Sequence, residues 1–192
     1  MSALALALML ACGAHGQAVR AIEAHGGRFA VNDVPAVTLS LGTYKTALIH
    51  PQDPALLVKV FQPGWADPAQ EQRRELADIA RLGPLTPRLV LSGTANAIPY
   101  VVVERVDGLN LERPTPIKLE ETRALFLKLR RAGLKMSDVE SLVKLRQNLM
   151  VGSTRSGGFQ GWLVDPEVSS GRHGAAELAA FYDGLERRLS AR

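Results

Sequence analysis

Between Arg28 and Asp107 most apolar residues recur at alternate positions or in short runs, one helical stretch at 67–83 apart, whereas from Gly108 onward stretches with a period of three to four residues dominate, two short strand runs apart. The first period is that of a half-buried strand and the second that of an amphipathic helix. A β-rich front half followed by an α-rich back half predicts an α+β fold in two lobes, here residues 28–107 and 108–192. A chain of 192 residues is long enough for one sizeable core or for two small lobes sharing a cleft.

In the front half, "RFAVND", "AVTLSLG", "YKTALIH" and "ALLVKVF" carry the strand pattern. "PQDP" at 51–54 and "PGWADP" at 63–68 punctuate it, and Gly42-Thr43 suits a tight turn. Ahead of them "QAVRAIEAHGG" reads as a short helix stopped by Gly26 and Gly27. "DPAQEQRRELADIARLG" has a full helix signature. Asp67 caps it, Pro68 starts it, Gly83 and Pro84 end it, and Leu76, Ile79 and Leu82 form its apolar stripe. "PRLVLSGTANAIPYVVVERVDG" reads as strand, turn, strand, with "VVVE" apolar enough to be central. In the back half, "KLEETRALFLKLRRAGL" is an amphipathic helix with Leu125, Leu129 and Ala132 on one stripe. "QNLMVG" and "GWLVDPE" form two short strands joined by "GSTRSGG", and "GAAELAAFYDGLERRLS" forms a final helix.

The net charge of +4 suits an anionic ligand, but it is spread too evenly, with aromatics at only 5%, to point to nucleic acid. Cys12 is the single cysteine, so neither an internal disulfide nor a cysteine metal cluster is possible, and the four histidines lack ligand spacing. The apolar run Ala3–Ala11 is too short to span a bilayer. Its length suits the apolar core of a secretory signal, and "LMLAC" loosely matches a lipoprotein cleavage box with Cys12 as lipid anchor, yet no Lys or Arg precedes Arg20. A short signal or leader over 1–18, a signal behind a misplaced start, and a packed N-terminal helix all remain open. Export or lipid anchoring and a cytoplasmic location stay open with them.

Lys59 stands in the middle of the buried-strand pattern "ALLVKVF", where an ammonium costs several kcal/mol unless it is paired or reaches water. Sixteen residues on, Glu75 edges the buried stripe of the following helix, with Ile79 at i+4 and Leu82 at i+7. Such a pair does little for stability by itself and makes more sense if the lysine also holds an anion such as a phosphate. The bland alternative is a lysine reaching out to water at a sheet edge.

Over residues 38–168 the order of parts resembles the protein-kinase-like superfamily. "LGTYKTALIHPQDPALLVKVF" looks like its glycine-rich hairpin plus lysine strand. "QNLMV" followed by "WLVDPE" looks like its metal-binding asparagine and aspartate strands. "HPQDPALLVKV" with "QRREL" is especially similar to the bacterial YrbL-type kinase-like proteins. The resemblance implies a minimal two-lobed kinase-like fold with a reduced helical lobe, of the pared-down kind seen in secreted effector kinases. It implies ATP and Mg²⁺ as cofactors. Gly42 would cover the phosphates, Lys59 would contact them, Glu75 would orient Lys59, and Glu104 to Val106 would offer backbone groups to adenine. Asn148 and Asp165 would ligate magnesium, with Gln147 an alternative to Asn148.

Two departures stand out. "LGTYKTA" has one glycine where the family has several, and the position of the catalytic base, five residues before the metal-binding Asn, is Val143. Asp138, ten residues before Asn148, is the candidate base, reached by an insertion of about one helical turn. The expectation is an ATP-dependent phosphotransferase acting on a protein hydroxyl. The alternative is a pseudokinase that binds nucleotide or protein without catalysis.

Overall fold

The computed structural model describes residues 18–42, 45–63, 66–111, 115–137, 139, 141–169 and 171–190. The N-terminal leader readings, Cys12 and Asp138 therefore lie outside the described residues. The α+β class read from the sequence holds, and the chain forms two compact units. One is the chain up to Arg73 with Leu89–Val103, the other Arg74–Arg88 with the chain from Glu104 onward.

Two-residue turns build much of the first unit. β1 (Ile22–His25), β2 (Arg28–Val31) and β3 (Val34–Ala36) form an antiparallel sheet in that order. Its turns are Gly26-Gly27, with φ of 57° and 79°, and Asn32-Asp33, with φ of 53° and 64°. Positive φ at both central residues gives the turn whose twist matches paired strands. This corrects the short helix expected before Gly26. Ile22 sits opposite Val31, both buried, and the Asn32 side chain accepts from the amides of Arg20 and Ala21 and donates to the Ala18 carbonyl. Those tertiary bonds override a weak local helix preference.

The larger sheet of this unit holds β4 (Thr38–Leu41), β5 (Lys45–Ile49), β6 (Leu56–Phe61), β7 (Leu89–Ala95) and β8 (Ile98–Glu104) in the order β4-β5-β6-β8-β7. Asn96-Ala97, with φ of 50° and 62°, turns β7 into β8. β8 lies inside the sheet, as its apolar run predicts, and Val58, Val60 and Val102 are wholly buried. α1 (Pro68–Leu82) starts in this unit. Asp67 Oδ1 accepts from the Ala69 amide, and Gln72 Nε2 donates to the Gly93 and Tyr100 carbonyls at 2.6 and 2.7 Å.

The second unit holds residues 74–82 of α1, β9 (Asp107–Asn110), α2 (Pro116–Arg131), α3 (Leu142–Gln147), β10 (Leu149–Ser153), β11 (Gln160–Leu163) and α4 (Ala175–Ser190). β9, α3 and the Ser141 cap of α3 were not read from the sequence. Leu125, Phe126 and Leu129 of α2 pack with Leu145, Leu149, Leu163 and Tyr182. Ala132, expected on that stripe, is exposed as the C-cap. Gly133, at φ 70°, ends the helix, with its amide on the Arg130 carbonyl and the Leu134 amide on the Leu129 carbonyl. The Tyr182 hydroxyl donates to the Leu134 carbonyl at 2.8 Å, and burial pushes its pKa up. Among the described residues no helix is long and apolar enough to cross a membrane.

The three-stranded sheet β11-β10-β9 closes around a glycine pair, Gly108 opposite Gly152. A Cβ at Gly152 would run into the Asp107 carbonyl, and one at Gly108 into the Val151 carbonyl, both backbone atoms that cannot swing aside. Gly152→Ala is therefore expected to cost about 1–3 kcal/mol of unfolding free energy in a denaturant titration. An unchanged midpoint would mean that the two strands separate at little cost.

Candidate functional site

Lys59 lies on β6, the middle strand of the five, opposite Ala47 of β5, and is only 6% exposed. It is therefore not a lysine reaching water from a sheet edge; both faces of the strand are covered here, with Val58 and Val60 buried on one and Lys59 and Phe61 on the other. Gly42 precedes the turn between β4 and β5, and its amide donates to the Lys45 carbonyl at 2.9 Å. A Cβ there would sit 2.8 Å from that same oxygen, so the close approach of the two strands calls for glycine. Thr43 and Tyr44 fall outside the described residues.

Lys59 and Gly42 belong to the first unit, whereas Glu75, Glu104, Val106, Asn148 and Asp165 belong to the second. Glu75 is buried on the face of α1 that also buries Asp78, Ile79 and Leu82, the i, i+3, i+4, i+7 spacing of one helix side.

Asn148 and Asp165 are seventeen residues apart in sequence, and the β10–β11 hairpin brings them to one end. Leu149 pairs with Leu163, and one step further the Val164 amide donates to the Asn148 carbonyl at 2.9 Å. Asn148 caps α3, its amide on the Lys144 carbonyl, and is buried. Asp165 follows at once on Val164 and is half-buried, while Gln147 is exposed. An amide oxygen and a carboxylate are hard donors that suit Mg²⁺, which takes few protein ligands and completes its shell with phosphates and water. Among the described residues no group of three or more His, Cys, Asp or Glu side chains forms. The amide of Asn148 and the carboxylate of Asp165 are donors of the type that Mg²⁺ takes together with a phosphate ligand. Val143, five residues before Asn148, is 64% exposed in the first turn of α3.

Glu104 has a larger structural part than the sequence indicates. Its carboxylate is wholly buried. One oxygen accepts from Arg88 Nε at 2.9 Å and Nη2 at 2.7 Å, and the other from the Ser156 amide at 3.1 Å and hydroxyl at 2.7 Å. Its own amide donates to the Arg88 carbonyl at 2.9 Å. The side chain thus ties the end of β8 to the β10–β11 turn, while its carbonyl and the nearby Val106 are the backbone groups read as an adenine edge. Arg88 and Ser156 escaped the sequence reading because nothing local marks two residues so distant as partners of one carboxylate.

Burial pushes the Glu104 pKa up, but the bonds from Ser156, Arg88 and Thr154 together outweigh it and hold the carboxyl at about 2, against an ordinary 4.5. A depressed carboxyl stabilises the fold fully above its unfolded pKa, and the contribution fades as pH falls toward the folded value. Glu104→Gln is expected to lose about 3 kcal/mol at neutral pH, a gap that narrows between pH 4.5 and 2. Urea titrations across that range check it, and a gap independent of pH would refute the assignment.

No family model matches the chain, and no curated protein matches it. Solved structures of the Mycobacterium tuberculosis PknI kinase domain are similar to it. One has 18% identity and a TM-score of 0.45 over 83% of this chain and 65% of the other. A second has 20% identity and a TM-score of 0.44 over 85% and 69%. A double-mutant form has 16% identity and a TM-score of 0.44 over 80% and 65%. The chain thus spans about two thirds of the length of the kinase domains it is similar to.

Proposed function

We propose that the protein is an ATP-dependent phosphotransferase that passes the γ-phosphoryl group to a protein serine or threonine hydroxyl. The observation that supports this reading is the β10–β11 register, which sets the Asn148 backbone opposite Val164, the residue before Asp165; an amide and a carboxylate suit Mg²⁺ bound with phosphate. The buried Lys59 on an inner strand supports it, because a cation kept in an apolar strand has a reason to be there if it meets an anionic ligand.

Bound Mg²⁺ would neutralise the charge that develops on the phosphates, and Asn148 and Asp165 would hold it. Lys59 would bind phosphate oxygens, with Gly42 letting the hairpin backbone come close and Glu75 orienting the ammonium. The Glu104 carbonyl and the Val106 amide would hydrogen-bond the adenine edge. Asp138 would accept the proton of the attacking hydroxyl. The hydroxyl oxygen forms the new bond to phosphorus as the bond to the β-phosphate oxygen breaks and ADP leaves.

A second reading, a pseudokinase that binds nucleotide without transfer, is favoured by Val143. That position carries an exposed valine where the family keeps its acid.

With radiolabelled ATP, Mg²⁺ and a mixed protein acceptor, the wild type is expected to transfer label. Lys59→Ala and Asp165→Ala are each expected to lose on the order of a hundredfold or more, the scale of removing one preorganised electrostatic group. Label transfer that survives both substitutions would sink the enzyme reading. Magnesium-dependent ATP binding without transfer would establish the pseudokinase.

A further inference from the structure

The segment after Asp165 is held on several sides within the second unit. Met136 and Val168 form an antiparallel bridge, flanked by the Ser137 amide on the Glu167 carbonyl at 3.0 Å and the Ser169 amide on the Lys135 carbonyl at 2.8 Å. At the far side of Ser169 its hydroxyl meets His173 Nε2 at 3.0 Å. His173 Nδ1 meets Glu177 Oε1 at 3.0 Å, and that oxygen also accepts from Lys135 Nζ at 2.8 Å. The remaining contacts come from α1. The carboxylate of Asp78 faces the Val168 amide, which favours its charged form. Arg81 Nη1 donates to the Val168 carbonyl at 3.3 Å and to Asp78 Oδ1 at 3.4 Å, and Nη2 to the Ser169 carbonyl at 2.7 Å.

The Val168 peptide is therefore met from a single helix turn, its carbonyl bonded by Arg81 and its amide faced by Asp78. The guanidinium fork spans two successive carbonyls, a geometry that a point charge on a flexible stem does not reproduce. The grip is made with a buried charge. Asp78 is 6% exposed and sits in the apolar stripe of α1, where burial raises its pKa despite the Val168 amide and Arg81. Replacing a buried charged pair by apolar residues is often neutral or stabilising, so bulk stability is a poor reason for an aspartate there. What the grip does accomplish is to tie together the helix that carries Glu75 and the segment that begins at Asp165, three residues before Val168. Through the Lys135–Ser137 pairing it also reaches the residue next to position 138.

We infer that Asp78 and Arg81 are positioning residues that hold the Asp165 carboxylate in register for Mg²⁺ by clamping the Val168 peptide to α1. The inference rests on the phosphotransferase reading and adds to it two residues that touch neither metal nor nucleotide. Neighbours of metal ligands act this way generally: they fix ligand orientation, and removing them weakens metal affinity tenfold or more.

The experiment uses the full chain with MgATP as probe. In the first arm, ATP binding is followed by calorimetry as Mg²⁺ is varied. Asp78→Ala and Arg81→Ala are expected to raise the magnesium concentration at half-saturation about tenfold. Asp78→Asn, which keeps an acceptor oxygen for the Val168 amide, is expected to recover most of that loss. Arg81→Lys, a surface-reaching change that leaves the core intact, is expected to recover little. In the second arm, hydrogen exchange is read at the Val168 amide in metal-free protein. It is expected to speed up in Asp78→Ala and to stay slow in Asp78→Asn.

Faster Val168 exchange with an unchanged magnesium requirement would overturn the positioning role and leave a purely structural clamp. Unchanged exchange in Asp78→Ala would overturn the clamp itself. A wild type that binds no ATP at any magnesium concentration would instead overturn the phosphotransferase reading, and this inference with it.

Discussion

The antiparallel register that sets Leu149 opposite Leu163 is the constraint on which the second unit depends. Both leucines are buried in its core, so a slip of one residue would turn each to the wrong face of the sheet. The same register carries β10 against β9 through the Gly108–Gly152 pair, and it delivers Asn148 and Asp165 to one end of the hairpin. Packing and candidate chemistry are thus set by one set of hydrogen bonds. The core needs the register for its leucines, and the hairpin end inherits its geometry from them.

Buried charge is the second organising theme. Lys59 and Glu104 are buried on apolar strands, and Glu75 and Asp78 on the buried side of an amphipathic helix. Glu104 shows how the cost is met: four hydrogen bonds from Arg88 and Ser156 satisfy both its oxygens, and the carboxyl stays ionised far below its usual range. Asp78 shows the opposite balance, with desolvation ahead of its partners. An aspartate left in that state is costly, and a position that keeps it needs a reason beyond packing.

The strand pattern around "ALLVKVF", the capped helix from Asp67 and the hairpin of "QNLMVG" with "GWLVDPE" were all legible, because each carries a strong period or a marked turn. The stretch before Gly26 was misread. "QAVRAIEAHGG" has helix formers, but a two-glycine turn and the Asn32 side chain recruit it into a sheet. Asp78 was in plain view, since it sits three residues after Glu75 on the stripe that holds Ile79 and Leu82. A carboxylate inside an apolar stripe is a signal as clear as Lys59 in its strand. Arg88 and Ser156 left no such trace, because they meet Glu104 only through distant parts of the chain.

The α+β class, the order of most elements and the placing of charged residues at positions that periodicity marks as inward are legible in the amino-acid pattern alone. Those features follow from local period and turn chemistry, which each segment carries alone. The folded arrangement sets which partners satisfy those charges. It decided that Glu104 is tied to Arg88 and Ser156, that Asp78 and Arg81 grip the Val168 peptide, and that Asn148 and Asp165 share one hairpin end. Pairing of that kind depends on strand register and on contacts distant in sequence, and neither is written in any local pattern.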